Sequence, residues 1–270
     1  MAYTIAVSNE KGGVAKTTTT LSLGAAVAES GKKVLLIDLD PQANLTLALG
    51  FEPGETRQTF SDILLEAEPL LSARCATSIT NLDLIPVNSK IEGAEQLLPM
   101  RINYLTTLKE ALDLAEPLPY DYVFLDCPPA LGAIVLNALS AAKLLIIPTQ
   151  AEYLSAYALR NMMGIVRRIR QESNPGLSYR ILITMLDRRN RTHRNIEQQL
   201  RDTFDEGLFE TVIEVDTKLR ESPIVGLPIT EYRPSSRGSQ QYRLLAQELI
   251  TYVKETSNQP ANRQPAEKVI

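Results

Sequence analysis

The residues best placed to do chemistry lie in short clusters at the ends of apolar runs. Asn9-Glu10-Lys11-Gly12-Gly13-Val14-Ala15-Lys16-Thr17-Thr18 separates the apolar run Thr4–Ser8 from a stretch with helical spacing. A helix N-terminus offers unpaired N–H groups and a partial positive charge to an anion. Gly12 and Gly13 let the backbone come close to phosphate oxygens. Lys16 is spaced to reach the β- and γ-phosphates, and the Thr17 hydroxyl to ligate Mg²⁺. The simple pattern G-x-x-x-x-G-K-[ST] is not met, because Glu10 and Ala15 occupy its two glycine positions. The strand-to-helix context matters more than the letters.

Two further clusters are acidic. Val34-Leu35-Leu36-Ile37-Asp38-Leu39-Asp40-Pro41-Gln42-Ala43-Asn44 ends an apolar strand with two carboxylates on the same side. Ligands of open parallel sheets sit at the carboxyl ends of strands. A carboxylate there can hold a Mg²⁺-bound water or orient an attacking one. Tyr122-Val123-Phe124-Leu125-Asp126-Cys127-Pro128-Pro129-Ala130-Leu131-Gly132 repeats the design, and Asp126 suits Mg²⁺ bound through water. The two prolines fix the backbone after it and Gly132 lets it move. Such a segment can couple a γ-phosphate to a change of order. Cys127 reads as a small buried hydrophobe.

These clusters require a particular frame. Short apolar strands are expected at 4–8, 34–38, 82–86, 122–126, 144–148 and 180–185. Helices are expected at about 18–30, 60–66, 102–115, 154–172, 195–204 and 239–255, with a loop at 50–59. Apolar runs separated by helices predict an α/β fold, a mostly parallel twisted sheet with helices on both faces. A length of 270 residues fits a single domain of this class, 1–255, followed by a polar, proline-containing tail, 256–270, expected to be disordered. The two cysteines cannot make a disulfide framework and fit a reducing cytoplasm. The single histidine, His193, argues against a His-based metal site or triad. No apolar stretch approaches the ~18 residues of a membrane span.

The combined motifs resemble the ParA/MinD family of deviant Walker A ATPases, over about residues 3–254. Lys-Gly-Gly-Val-Ala-Lys-Thr-Thr is similar to the family's K-G-G-x-G-K-[ST] loop, with Lys11 at its signature lysine. Asp38-Leu39-Asp40-Pro41-Gln42-Ala43-Asn44 resembles its D-x-D-P-Q-x-N switch I, and Asp126-Cys127-Pro128-Pro129 its D-x-P-P switch II. The resemblance implies a P-loop NTPase that binds ATP and Mg²⁺ and hydrolyses ATP. It implies phosphate contacts from residues 11–18: Lys11, Gly12, Gly13, Val14, Ala15, Lys16, Thr17 and Thr18. Lys11 would cross a dimer interface to the partner's ATP, beside the catalytic Lys16. Asp40 would position the hydrolytic water; Asp38, Thr17 and Asp126 would form the magnesium region. Ala15 stands where glycine is commoner, which asks for negative φ or for strain. Pro148-Thr149-Gln150-Ala151-Glu152-Tyr153 is similar to the P-x-Q-x-E-Y segment, placing Glu152 near nucleotide and interface. Met185 falls in the adenine region.

Charge distribution adds a separate signal. The chain carries −4 overall, yet residues 160–201 hold ten arginines against three acids, +7, leaving −11 elsewhere. Such asymmetry marks a polyanion-facing surface on an acidic protein. No aromatics alternate with these arginines, so stacking on single strands is not expected. The resemblance places DNA-facing residues here and near Lys218-Leu219-Arg220-Glu221-Ser222-Pro223. It points first to Arg189 and Lys218, then to Arg191, Arg220 and Arg237. It implies an ATP-bound homodimer on non-specific double-stranded DNA, a ParB-like adaptor, and a cytoplasmic, nucleoid-associated protein. The competing MinD-type reading needs a Lys-rich amphipathic helix at the C-terminus, and the polar tail is unsuited to that. A nitrogenase-iron-protein-like relative would need two cluster cysteines, a role that Cys75 and Cys127 do not suit.

Overall fold

The computed structural model describes residues 1–54, 58–153 and 155–257, without the side chains of Ala156 and Ser257. In chain order the elements are β1 (Tyr3–Val7), α1 (Lys16–Glu29), β2 (Val34–Asp38), α2 (Asn44–Ala48), α3 (Phe60–Glu66), β3 (Cys75–Ala76) and β4 (Leu82–Ile85). There follow α4 (Ile91–Leu97), α5 (Thr107–Leu114), β5 (Tyr122–Asp126), α6 (Ala133–Ala141), β6 (Leu144–Gln150) and α7 (Ser155–Glu172). The chain ends with β7 (Ser178–Thr184), α8 (Arg191–Phe204), α9 (Lys218–Glu221), α10 (Ile229–Tyr232) and α11 (Arg237–Ser257).

The strands form one sheet in the order β3-β4-β2-β5-β1-β6-β7. Every described pairing in it is parallel except that of the two-residue β3 at the edge. Successive strand residues feed two cores. Ala6, Leu35, Ile37, Val123, Leu125, Leu145 and Ile147 point to one, with α3 to α7. Ile5, Val7, Leu36, Phe124, Leu144 and Ile146 point to the other, with α1, α2, α10 and α11. Burial on both faces is why these strands read as unbroken apolar runs rather than alternating ones. Each fully buried Leu, Ile or Phe contributes about 1.5–3 kcal/mol. Gly24 lets α1 lie flat on the sheet, since a β-carbon there would come within 2.7 Å of Leu36 Cδ2.

The α/β frame matches the expectation, with differences in detail. The 102–115 helix is a 3₁₀ turn at Tyr104–Thr106 followed by α5. α2, α4, α6, α9, α10 and the edge strand β3 have no counterpart in the expected elements. α6, Ala-Ile-Val-Leu-Asn-Ala-Leu-Ser-Ala, is apolar nearly all round and buried, so it lacks the periodic polar face that marks a surface helix. α11 runs to Ser257, two residues into the expected tail; residues 258–270 lie outside the described residues. So does Leu154, the expected start of the helix that the structure begins at Ser155.

Candidate nucleotide site at the strand ends

Adjacent strands β2, β5, β1 and β6 bring their carboxyl ends together, with Asp38 opposite Asp126 and Asp126 opposite Val7. The glycine loop follows β1 directly, so the sheet alone places the loop beside both acidic ends.

Three side chains strap the loop down. Asn9 Nδ2 donates to Pro148 O at 2.7 Å, Gln150 Nε2 to Gly13 O at 3.1 Å, and Thr184 Oγ1 to Val14 O at 3.1 Å. Gly12 and Gly13 are exposed, and β-carbons there would meet nothing within 4 Å. Their small size therefore serves no contact within the chain, and leaves the backbone open to a ligand. Gly13 has φ +75°. Ala15 takes the strained alternative: as the residue before α1 it has φ 68° and ψ 38°. A left-handed alanine costs of order 1 kcal/mol.

Lys16 is 8% exposed, and its Nζ donates to Lys11 O at 3.1 Å. Burial holds its pKa below the ordinary lysine value, while Asp126, Cys127 and Asp40 oppose that. Among the described residues no carboxylate forms an ion pair with it. A buried ammonium without an anion is costly, and an incoming anion relieves that cost.

Asp126 is fully buried. Its Oδ1 accepts from Thr20 Oγ1 at 2.9 Å, while Oδ2 has no partner. Burial, then the nearby Asp38, pushes its pKa well above the carboxylate range. An orphaned buried oxygen beside the Thr17 hydroxyl and a buried lysine fits a Mg²⁺–phosphate pair. No group of three or more metal-ligating side chains exists among the described residues, so such an ion would depend on phosphate oxygens and water.

Asp38 has a different occupation. Its Oδ2 accepts from Thr46 N at 2.9 Å and Thr46 Oγ1 at 2.7 Å, and its Oδ1 from Asp40 N at 3.1 Å. It shapes the turn into α2, and Oδ1 keeps acceptor capacity beyond its bond to Asp40 N. Burial raises its pKa. Asp40, 7% exposed, accepts from Gln42 N at 3.0 Å.

Lys11 is turned onto its own chain: Nζ lies 2.5 Å from Glu152 Oε2 and 3.2 Å from Gln150 Oε1. Glu152 is half exposed, so this pair is weak, ~0–1 kcal/mol. Gln150 links three expected site residues, since its Nε2 also contacts Met185 Sδ at 2.9 Å beside Gly13. Met185 sits at φ 53°, a further left-handed residue at this edge. Gln150 carried no role in the sequence reading; its place at the end of β6, two residues before Glu152, was the available signal. His193 is structural: its Nδ1 accepts from Asp187 N.

The basic residues assemble around the end of β7, although each of several brings an acid. Arg189 pairs with Asp187 at 3.0 Å, Lys218 with Glu221 at 2.7 Å, and Arg237 with Glu214 at 2.7 Å. Glu214 also binds Arg188 at 2.8 Å, which ties the arginine segment to α11. Arg189 holds the Asp187 carboxyl down to about 2. Arg191 and Arg220 are exposed and carry no ion pair among the described residues. Arg188 meets Glu214 and Arg201 meets Glu210, and both acids lie outside residues 160–201, so the segment's own count overstates its charge.

Residues 2–179 match the family described as AAA domain. The chain is 39% identical to the sporulation initiation inhibitor protein Soj of Bacillus subtilis, over 92% of this chain and 98% of that one. It is 36% identical to the chromosome partitioning protein ParA of Caulobacter vibrioides, over 92% and 93%. Among solved structures, a Mycobacterium smegmatis protein named cobyrinic acid a,c-diamide synthase superposes with a TM-score of 0.83 at 32% identity, covering 97% of this chain and 100% of that one. That protein holds ADP and magnesium. No helix among the described residues is long and apolar enough to cross a membrane.

Proposed function

The chain belongs to the family of Soj and the chromosome partitioning ParA proteins, and from that premise we propose a Mg²⁺-dependent partition ATPase acting as an ATP-bound dimer on DNA. The observation that carries this reading is the buried, unpaired Lys16 ammonium beside the unpartnered Asp126 Oδ2. Residues 11–18 hold the phosphates through Lys16 Nζ and the loop amides. Thr17 and Asp126 would hold magnesium, and Asp38 fixes the turn that carries Asp40. Magnesium, when bound, neutralises charge on the phosphate oxygens. Asp40 orients a water for in-line attack on the γ-phosphorus, and the bridging oxygen leaves with ADP. Met185 and Gln150 border the base side.

Lys11 leaves Glu152 and reaches the partner chain's nucleotide, so two chains close face to face. A cation supplied across an interface is worth ~10³–10⁵ in rate in related phosphoryl transfers. The closed dimer binds double-stranded DNA without sequence preference through Arg189, Arg191, Lys218, Arg220 and Arg237. A ParB-like adaptor stimulates hydrolysis and release. The cargo is a chromosome, a plasmid or a protein assembly on the nucleoid, in the cytoplasm.

The test is a gel shift with random duplex DNA and ADP, ATP, or Asp40→Ala with ATP, at two salt concentrations. Binding only with ATP, weakened by salt, supports the reading. The name of the Mycobacterium protein suggests another outcome, ATP turnover that waits for a carboxylic acid substrate and ignores DNA. Binding to anionic vesicles instead of DNA would favour a MinD-type role.

A further inference from the structure

The segment after Asp126 is hydrogen-bonded at its two ends, and between them Leu131 rests against the core. Upstream, Cys127 N donates to Val7 O at 3.2 Å, fixing the end of β5 to β1. Downstream lies the start of α6, which has no cap of its own, because its N-cap is Gly132 and its first turn holds no acidic residue. The cap comes from another element. Glu95, on α4, accepts from Ala133 N through Oε1 and from Ile134 N through Oε2, the latter at 3.1 Å. Among the described residues, no hydrogen bond holds the amides of Ala130, Leu131 or Gly132. Pro129 and Ala130 are exposed.

Gly132 then has a reason other than mobility. Its φ of −93° is open to any residue. A β-carbon there would collide with the Glu95 carboxylate, 2.6 Å from its Cδ and nearer still to Oε1. Only glycine leaves room for the carboxylate. α4 is a firm base for it, since its Ile91 and Ala94, and Leu98 just after it, are buried in the core.

We propose that Glu95 is a positioning residue for ATP hydrolysis: it clamps the downstream anchor of residues 128–132 through the vacant side-chain place of Gly132. The segment after the magnesium-region carboxylate is thereby held in one course at the phosphate end of the sheet. Glu95 does not reach the glycine loop and acts only through α6. The proposal rests on the ATPase reading above.

The experiment compares Glu95→Ala, Glu95→Gln, Gly132→Ala and Glu95→Ala/Gly132→Ala with the unaltered chain. It reads kcat and KM for ATP, Mg·ATP affinity without turnover, and amide exchange of residues 128–136. Misplacing a reacting group by ~1 Å can cost ~10²-fold, so Glu95→Ala is expected to lower kcat at least about 10-fold. Mg·ATP affinity should stay within about 3-fold, because the glycine loop is strapped by other residues. Exchange at Ala133 and Ile134 should quicken. Glu95→Gln keeps an acceptor oxygen and should lie between. Gly132→Ala should match Glu95→Ala, and the double variant should lose little more, since the collision is then removed. Unchanged kcat in Glu95→Ala, or additive losses in the double variant, would overturn the clamp. Equal loss of affinity and kcat would make Glu95 a general structural support. An unaltered chain with no turnover under any condition would overturn the ATPase reading, and the hydrolytic role with it.

Discussion

The two charged regions of this protein are built on opposite terms. At the strand ends, charge is buried and left incomplete: among the described residues, Lys16 has no carboxylate paired with it and Asp126 Oδ2 has no partner. Around α8 and α9, charge is exposed and largely paired, as in Arg189 with Asp187 and Lys218 with Glu221. Incomplete buried charge is expensive without a ligand and therefore binds one strongly. Exposed, paired charge costs little and binds weakly, in proportion to the counterions it releases. The first region suits a specific small anion, the second a long polyanion held at many weak points.

The contrast breaks most decisively at Lys16. A hydrogen bond to a charged group is worth about 1.5–3 kcal/mol, more when buried. Lys16→Ala should therefore weaken ATP binding by about 10- to 100-fold, measured by calorimetry. Retained affinity would mean that the loop amides carry the site and that the buried ammonium is incidental.

Lys11→Ala tests the boundary between the regions. ATP should still bind, because Lys16 and the loop remain, while ATP-dependent dimerisation is lost in analytical ultracentrifugation. Normal dimers would remove the role across the interface and leave Lys11 its contacts with Glu152 and Gln150.

On the exposed side the pairing predicts a ranking. Unpaired Arg191 and Arg220 are ready for phosphate, whereas Arg189 must first leave Asp187. Each single change to alanine should weaken duplex binding several-fold, with Arg191→Ala and Arg220→Ala lowering the salt slope by about 0.9 each. Arg189→Glu should reduce DNA binding and leave ATP affinity intact. Loss of both together would indicate misfolding.

A smaller effect comes from pH. Burial raises the Asp126 pKa to about 8, so the folded chain binds more protons than the unfolded one between about pH 4 and 8. Stability without ligand should then fall as pH rises through that window. Asp126→Asn should flatten the fall, visible in Tm at pH 8 and absent near pH 4. An unchanged slope would show that Asp126 titrates normally. The smallest change is Ala15→Gly: relief of the left-handed strain, offset by unfolded-chain entropy, should alter stability by no more than about 1 kcal/mol in denaturant melts.

Much of the nucleotide end was legible in the chain. The loop residues, Asp38, Asp40 and Asp126 all lie at ends of apolar runs, and a parallel sheet must bring such ends together. Ala15 was recognised as a place for negative φ or strain, and the structure shows strain. Less legible was what each group does once there. Asp38 spends its oxygens on Thr46 and Asp40. α6 hid because an apolar, fully buried helix has no polar stripe to give it a period. Gly132 suggested movement, and the structure adds that it leaves room for the Glu95 carboxylate.

The sequence by itself determined the frame and the chemical types: apolar runs of strand length, a glycine-lysine loop before a helix, and carboxylates at strand ends. Those are local patterns, set by backbone geometry over a few residues. Only the tertiary structure decided the partners. Lys11 meets Glu152 across 141 positions, Glu95 meets Ala133 across 38, and Glu214 joins Arg188 and Arg237 across 26 and 23. Whether a charge is paired, buried or free depends on which distant segment the packed core brings against it, and no local period encodes that.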